Sequence, residues 1–379
     1  MRREKLRTLV REYSERNRHN DCSGVYSVTN SHGFMPSTDY FSKEVFSKDL
    51  STYKVVKRGM IAYNPSRINV GSVAVQRERE TVIVSPLYVV FSVDESKILP
   101  EFLTYFLHSD EGLQQIAANT SGSVRDSLKF SALQNIEINL YSIEEQQEII
   151  AILNKFDKLL HDEREALQKI NDLVKSQFIE MFGNPISNER KWELCPLEAV
   201  GDVGSSKRIF EREYVKEGIP FFRTKEVVEL SKGAQISTEL FISEERFAEL
   251  KKEWGCPRKG DLLISAVGTI GVIWIVDDRS FYFKDGNLLQ VRSELNSQFL
   301  KYVLEWLIAD YKQEMSKGTA YAALTINALK KMKIINVPTS AQEWFSHFVE
   351  QTDKSKFRIK QSLEKLETCY NAMLQKYFG

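Results

Sequence analysis

Residues capable of covalent or metal chemistry are present in this chain, but not at spacings that would let them act together. The four cysteines, Cys22, Cys195, Cys256 and Cys369, are scattered with no CxxC pair. That argues against a zinc site and against a disulfide framework, and for free thiols in a reducing compartment. None of the five histidines is spaced as a metal pair, and neither a GxSxG elbow nor a phosphate-cradling GxxxxGK[ST] loop occurs. An amino-methyltransferase of the adenine class would need an Asn/Asp-Pro-Pro-aromatic motif. The nearest approach, Asn64-Pro65-Ser66-Arg67, lacks the second proline and the aromatic, and reads as a turn. No catalytic residue and no metal ligand is therefore expected.

What the sequence does carry is a repeat. IEMFG at 179–183 is answered 196 residues later by QKYFG at 375–379. At that offset Gly122 falls on Gly318, Leu128 on Leu324, Ile138 on Ile334, Gln146 on Gln342, Asp157 on Asp353 and Leu167 on Leu363, with no gap across 62 residues. Upstream the register drifts: FLTYFL at 102–107 answers FLKYVL at 299–304, and KRGMIAYNPSRINVGSVAV at 57–75 answers RKGDLLISAVGTIGVIWIV at 258–276. A period this long is a tandem duplication of whole domains rather than a solenoid. Each copy would be a globular segment followed by a tail.

The tails have helical periodicity. Steps of three and four from Ile149 give Ile149, Leu153, Phe156, Leu160, Glu163, Leu167, Ile170, Val174, Gln177 and Met181. The second tail gives Phe345, Val349, Thr352, Lys356, Ile359, Leu363, Leu366, Tyr370, Met373 and Tyr377. Each seam is apolar at eight of ten positions with no Pro or Gly inside, which predicts coiled-coil pairing of two helices of about 37 residues. Paired antiparallel, they would form a rod of about 55 Å with a pseudo-twofold axis. The expected organisation is a globular domain at 1–143, a helix at 144–183, a second globular domain at 184–340 and a helix at 341–379, with PISNERK at 185–191 as the boundary.

The globular parts read as mixed α/β. TVIVSPLYVVFSV (81–93) and DLLISAVGTIGVIWIVDD (261–278) have the Val and Ile content and turn punctuation of strands, with helices following at 100–118 and 296–315. No apolar run approaches a membrane span and MRREKLRTLVREYSER has no signal-peptide core, so a cytoplasmic location is the default expectation.

RKGDLLISAVGTIGVIWIV, GIPFFRTKEV at 218–227, the pair SGSVRDSLKFSALQNIEI and KGTAYAALTINALKKMKI, and the helix start EEQQEIIAILNKFDKL together resemble the specificity subunit of type I restriction-modification systems. The resemblance covers essentially the whole chain and is weakest over residues 1–56. It implies two target recognition domains, each with a long helix, that read a bipartite DNA site split by a fixed gap. It further implies two methyltransferase subunits and two motor-nuclease subunits as partners, with S-adenosylmethionine, ATP and Mg bound by them and no cofactor in this chain.

On that reading, loop residues with base-reading or phosphate-contacting side chains become the DNA-binding candidates. In the first copy these are Thr29, Asn30, Ser31 and His32, then Asn64, Ser66, Arg67 and Asn69, then Ser123 and Arg125. In the second they are Ser205, Ser206, Lys207 and Arg208, then Arg223, Thr224 and Lys225, then Ser265 and Thr269, then Lys317, Thr319 and Tyr321. Lys plus Arg equal Asp plus Glu at 52 each, so partner subunits are expected to supply much of the electrostatic grip. Two rival classes are a coiled-coil scaffold that never meets DNA and a nucleic-acid enzyme with an unrecognised active site.

Overall fold

The computed structural model describes residues 2–30, 33–40, 47, 49–120, 127–315 and 323–379. The chain divides into two compact units, one of residues 1–165 with 359–379 and the other of residues 166–358.

In the first unit a four-stranded antiparallel sheet has the spatial order Val10–Glu12, Val89–Val93, Ile61–Tyr63, Val73–Val75. All three residues of Ile61–Tyr63 are buried, as in a central strand covered on both faces. A separate antiparallel pair joins Arg2–Lys5 to Glu137–Leu140. The sequence suggests one helix over 100–118, but two are present, Pro100–His108 and Asp110–Asn119. Ser109 breaks them: its backbone is extended, and its Oγ donates to Phe106 O at 2.7 Å and accepts from Gly112 N at 3.2 Å. That close turn admits only glycine at 112, where a Cβ would lie 2.0 Å from Phe106 O.

The second unit repeats this scaffold. Gly201–Gly204, Leu288–Ser293, Leu262–Ser265 and Ile273–Ile275 form a sheet in the corresponding order, Glu193–Pro196 pairs with Lys333–Asn336, and one helix spans Ser297–Met315. What differs is the material inserted into the scaffold. The first unit adds two hydrogen-bonded strand pairs, Tyr26–Thr29 with Gly33–Pro36 and Lys54–Lys57 with Thr81–Val84. The second adds a four-stranded sheet of Tyr214–Val215, Phe241–Ile242, Ile219–Phe222 and Tyr282–Phe283, flanked by helices Thr224–Ser231 and Glu244–Glu253.

The tails are continuous helices of 40 residues, Ile143–Phe182 and Thr339–Phe378. Packing divides each helix between the units, so the four-part division suggested by the sequence becomes two units. Within the first unit the helices run antiparallel: Phe156 meets Tyr370 at 6.1 Å between ring centroids, and Arg164 pairs with Glu367 at 2.8 Å. Along the seam Ile149, Leu153, Leu160, Val174, Phe345 and Val349 are buried and the remaining residues at least half-covered. Toward the C-terminal end of each helix, however, the most buried row moves on by one, to Phe178 and Phe182 instead of Gln177 and Met181, and to Leu374 and Phe378 instead of Met373 and Tyr377. A 3.6-residue helix drifts by about 20° per heptad from a 3.5-residue seam, and here the drift turns the last turns onto a globular core. Phe378 lies 5.1 Å from Phe102, and Phe182 lies 5.1 Å from Phe299, between ring centroids.

Gln146 and Gln342, matched in sequence, act as paired brackets. Gln146 is fully buried; its Oε1 accepts from Leu99 N at 2.8 Å, and its Nε2 donates to Lys97 O at 2.8 Å and Tyr141 O at 3.0 Å. Gln342 accepts from Asn296 N at 3.0 Å and donates to Val337 O at 3.0 Å. Each ties the start of a long helix to its globular domain, because a buried amide must satisfy both its donor and its acceptor.

Candidate nucleic-acid interface

In the first unit, the chain between strands Ile61–Tyr63 and Val73–Val75 forms a tight turn. Asn64 Oδ1 accepts from Ser66 N at 3.1 Å, so the Asn-Pro-Ser-Arg segment is the turn its composition suggests. A single 3-10 turn, Ile68–Val70, follows and ends at Gly71 with φ 89°. His108 lies beneath it, its Nε2 at 3.2 Å from Gly71 O, and burial holds the imidazole below its usual pKa.

This turn faces the strand pair Tyr26–Thr29/Gly33–Pro36 across a concavity of about 250 Å³ whose walls include Thr29, Asn30, Asn64, Arg67, Ser72 and Tyr88. Thr29 Oγ1 donates to Gly33 O at 3.2 Å, and Ser72 Oγ donates to Val28 O at 2.7 Å, so both hydroxyls brace the wall. Arg67 and Asn30 are exposed, and among the described residues no Asp or Glu lines the concavity. The result is an uncompensated guanidinium beside two carboxamides, the donor and acceptor set that hydrogen-bonds purine edges bidentately. Of the residues singled out in the sequence, Thr29, Asn30, Asn64 and Arg67 are brought together here. Ser66 and Asn69 are exposed on the same turn without lining it, while Ser31, His32, Ser123 and Arg125 lie outside the described residues.

The second unit uses its polar loops differently. Ser205 Oγ donates to Leu288 O at 2.9 Å and accepts from Gly286 N at 3.1 Å, and Ser206 Oγ donates to Phe283 O at 2.6 Å. Both hydroxyls bind strands together. Ser265 requires correction as a surface contact, because it is fully buried, donates to Thr269 O and accepts from Val272 N at 2.9 Å. It holds the hairpin at whose exposed tip Thr269 sits. Arg223 is ion-paired with Glu226 at 2.8 Å and lies 3.6 Å from Glu239. Burial pushes the Glu226 carboxyl up, but the Arg223 hydrogen bonds outweigh this and hold it below its usual value. Arg208 pairs with Asp285 at 3.1 Å. Lys207 reaches over the ring of Trp254 at 4.5 Å, and that ring is 60% exposed. Thr224 opens the helix Thr224–Ser231, Lys225 is exposed on its first turn, and Lys317, Thr319 and Tyr321 lie outside the described residues.

Sequence reasoning missed Ser72 and Tyr88 in the first concavity, and the Trp254 platform. A signal existed for the last, since a lone Trp beside Gly-Cys-Pro in a charged stretch invites exposure. Among the described residues no group of three or more His, Cys, Asp or Glu is placed to hold a metal ion, and no helix is long and apolar enough to cross a membrane.

A family model described as the type I restriction modification DNA specificity domain matches residues 19–172 and again 189–368. A Haemophilus influenzae protein provisionally named as the specificity subunit of a type I restriction enzyme is 28% identical over 287 residues, covering 74% of this chain and 68% of the relative. The MjaIX type I restriction enzyme specificity subunit of Methanocaldococcus jannaschii is 26% identical over 307 residues, covering 75% and 69%. The crystal structure of a type I restriction-modification S subunit from M. genitalium superimposes with a TM-score of 0.59 at 16% identity, over 100% of this chain and 96% of that one, a likeness of fold. With the family's domain present twice, this chain belongs to the type I restriction modification DNA specificity family.

Proposed function

We propose that this chain is the DNA-recognition subunit of a type I restriction-modification complex, and that each globular domain reads one half of a bipartite site. The observation that carries the reading is the contrast inside a duplicated scaffold: the sheet order, the buried glutamines and the helix-end phenylalanines recur, while the inserted material differs in how its four strands pair, in its helices and in its polar surface. Two domains that read unlike sequences from like mountings should diverge in that place. The paired long helices fix the number of base pairs between the half-sites and dock the methyltransferase subunits. Their geometry favours this, since a helix has a rigid rise of 1.5 Å per residue whereas a linker of loops would let the gap vary.

The partners would be two methyltransferase subunits and, in the restriction complex, two motor-nuclease subunits, with S-adenosylmethionine, ATP and Mg bound there. A solved relative described in terms of type I complex assembly, with a TM-score of 0.56, supports an assembled role. The chain itself would have no catalytic activity and would act in the cytoplasm.

The test is a long-read methylation map of a host carrying a methyltransferase partner, with and without this chain. A split adenine-methylation motif that appears only with the chain present is the expected result. No new motif from two soluble, associating proteins would transfer the weight to a scaffold role.

A further inference from the structure

A second concavity in the first unit, about 490 Å³, lies between the loop 16–22 and the turn 76–81, and its chemistry differs from that around Arg67. Both segments are fixed by buried carboxamides. Asn17, 4% exposed, donates through Nδ2 to Cys22 O at 2.7 Å and Leu50 O at 3.4 Å and accepts at Oδ1 from Cys22 N at 3.1 Å. Gln76, fully buried, donates through Nε2 to Arg79 O at 2.6 Å and Val56 O at 3.4 Å and accepts from Arg79 N at 3.3 Å. Both amides are therefore engaged in holding the backbone.

What remains in the cleft is charge of both signs, with Glu15, Asp21 and Glu80 beside Arg16, Arg18, Lys57 and Arg79. Arg16, Arg18 and Arg79 are exposed, and among the described residues none has a carboxylate partner. The contrast with a neighbour in the same turn is instructive: Arg77 donates from Nε to Glu101 at 2.7 Å and is engaged in holding the fold. Lys57 is likewise paired, with Glu15 at 3.4 Å. Guanidiniums on two anchored loops, lining one opening, present forked donors that match the paired oxygens of a phosphate.

We propose that this cleft is a clamp for the phosphodiester backbone of DNA, formed by Arg16, Arg18 and Arg79, that grips the duplex without regard to sequence. The inference rests on the reading of the chain as a DNA-binding subunit. It adds that gripping and reading are done by separate surfaces of the first unit. Rigid anchoring matters because a guanidinium held in place loses less side-chain freedom on meeting a phosphate than one on a loose loop.

The test uses the full chain in complex with its methyltransferase partner, binding a target duplex and an unrelated duplex across a salt series. Replacing all three residues, Arg16→Gln, Arg18→Gln and Arg79→Gln, should make the slope of log affinity against log salt shallower by about 2–3, at about 0.9 for each phosphate no longer neutralised. Affinity for both duplexes should fall by the same factor while the methylated motif stays the same. The converse pair, Asp21→Asn with Glu80→Gln, removes carboxylates from the same cleft and should tighten both duplexes alike, a gain that a misfolded protein cannot give. An unchanged slope beside normal wild-type binding would overturn the clamp alone. Weakening confined to the target, with an altered half-site, would make the cleft a base reader and also overturn it. A wild-type complex that binds no duplex would overturn the DNA-recognition reading, and the clamp with it.

Discussion

The two units of this molecule use the arginines around their candidate surfaces differently, although each also has exceptions, Arg77 paired with Glu101 in the first and Arg212 over the Phe210 ring in the second. In the first unit Arg16, Arg18, Arg67 and Arg79 stand exposed without carboxylate partners among the described residues, held in place by neutral amides and turns. In the second, Arg208, Arg223, Arg246 and Arg279 are each paired with an acid at 2.7–3.1 Å. The first region offers charge, while the second offers an aromatic face, Trp254 under Lys207, and an exposed hairpin tip at Thr269. Beneath both lies one scaffold with the same sheet order. Duplication has kept what holds the long helices and left the outer surface free to change, so a chain with zero formal net charge can still present a locally cationic face.

That comparison can be broken first at the scaffold. Truncating Phe378→Ala should destabilise the first unit and Phe182→Ala the second, each by about 3–5 kcal/mol, the usual cost of emptying a buried phenylalanine site. Amide hydrogen exchange mapped separately onto residues 1–165 and 166–358 would read the effect. A drop in protection in only one of the two variants would mean that the duplicated ends are not equivalent.

The arginine contrast gives a smaller and sharper effect. Arg223→Ala leaves Glu226, 2% exposed, without its cation. It should lower the stability of the second unit by about 2–3 kcal/mol, below the full figure for a buried pair because Arg223 is itself about a third exposed. Arg67→Ala should change stability by less than about 0.5 kcal/mol and yet alter or abolish one half-site in a methylation map. A large fall in stability with Arg67→Ala would place that residue in the fold instead.

The smallest effect is electrostatic. Burial holds His108 below its ordinary pKa, so the unfolded chain takes up the proton first, and folding stability is lost as the pH falls below about 6.5 toward the lower native value. His108→Gln should therefore flatten the decline in melting temperature between pH 7 and pH 5. An unchanged slope would mean that other groups govern acid sensitivity.

Much of the scaffold was legible because duplication doubles each signal. Gln146 on Gln342 and Phe182 on Phe378 align at one offset, and all four are buried. The helical seam was legible for the same periodic reason, and its one-residue shift at the helix ends was not, because that shift depends on the core each end meets. The candidate site was read in part. Asn64 and Arg67 sit on a local turn whose residues announce it, but their meeting with Thr29 and Asn30 depends on a long-range approach that no local pattern encodes. Arg223 misled for a local reason that could have been seen, a glutamate three residues on that caps the same helix. The cleft of Arg16, Arg18 and Arg79 joins segments about sixty residues apart, organised by amides whose burial the sequence does not declare.

The end of the C-terminal helix also has a temporal meaning. Phe378 and Leu374 complete the core that Leu6, Phe102 and Ile138 begin, whereas the second unit is built from one unbroken stretch of chain. On the ribosome the first unit is thus the earlier to be made and the later to be finished. Until residues 359–379 emerge, its aromatic cleft at Phe102 and Phe106 stays open, and the nascent chain must hold that apolar surface apart from its neighbours.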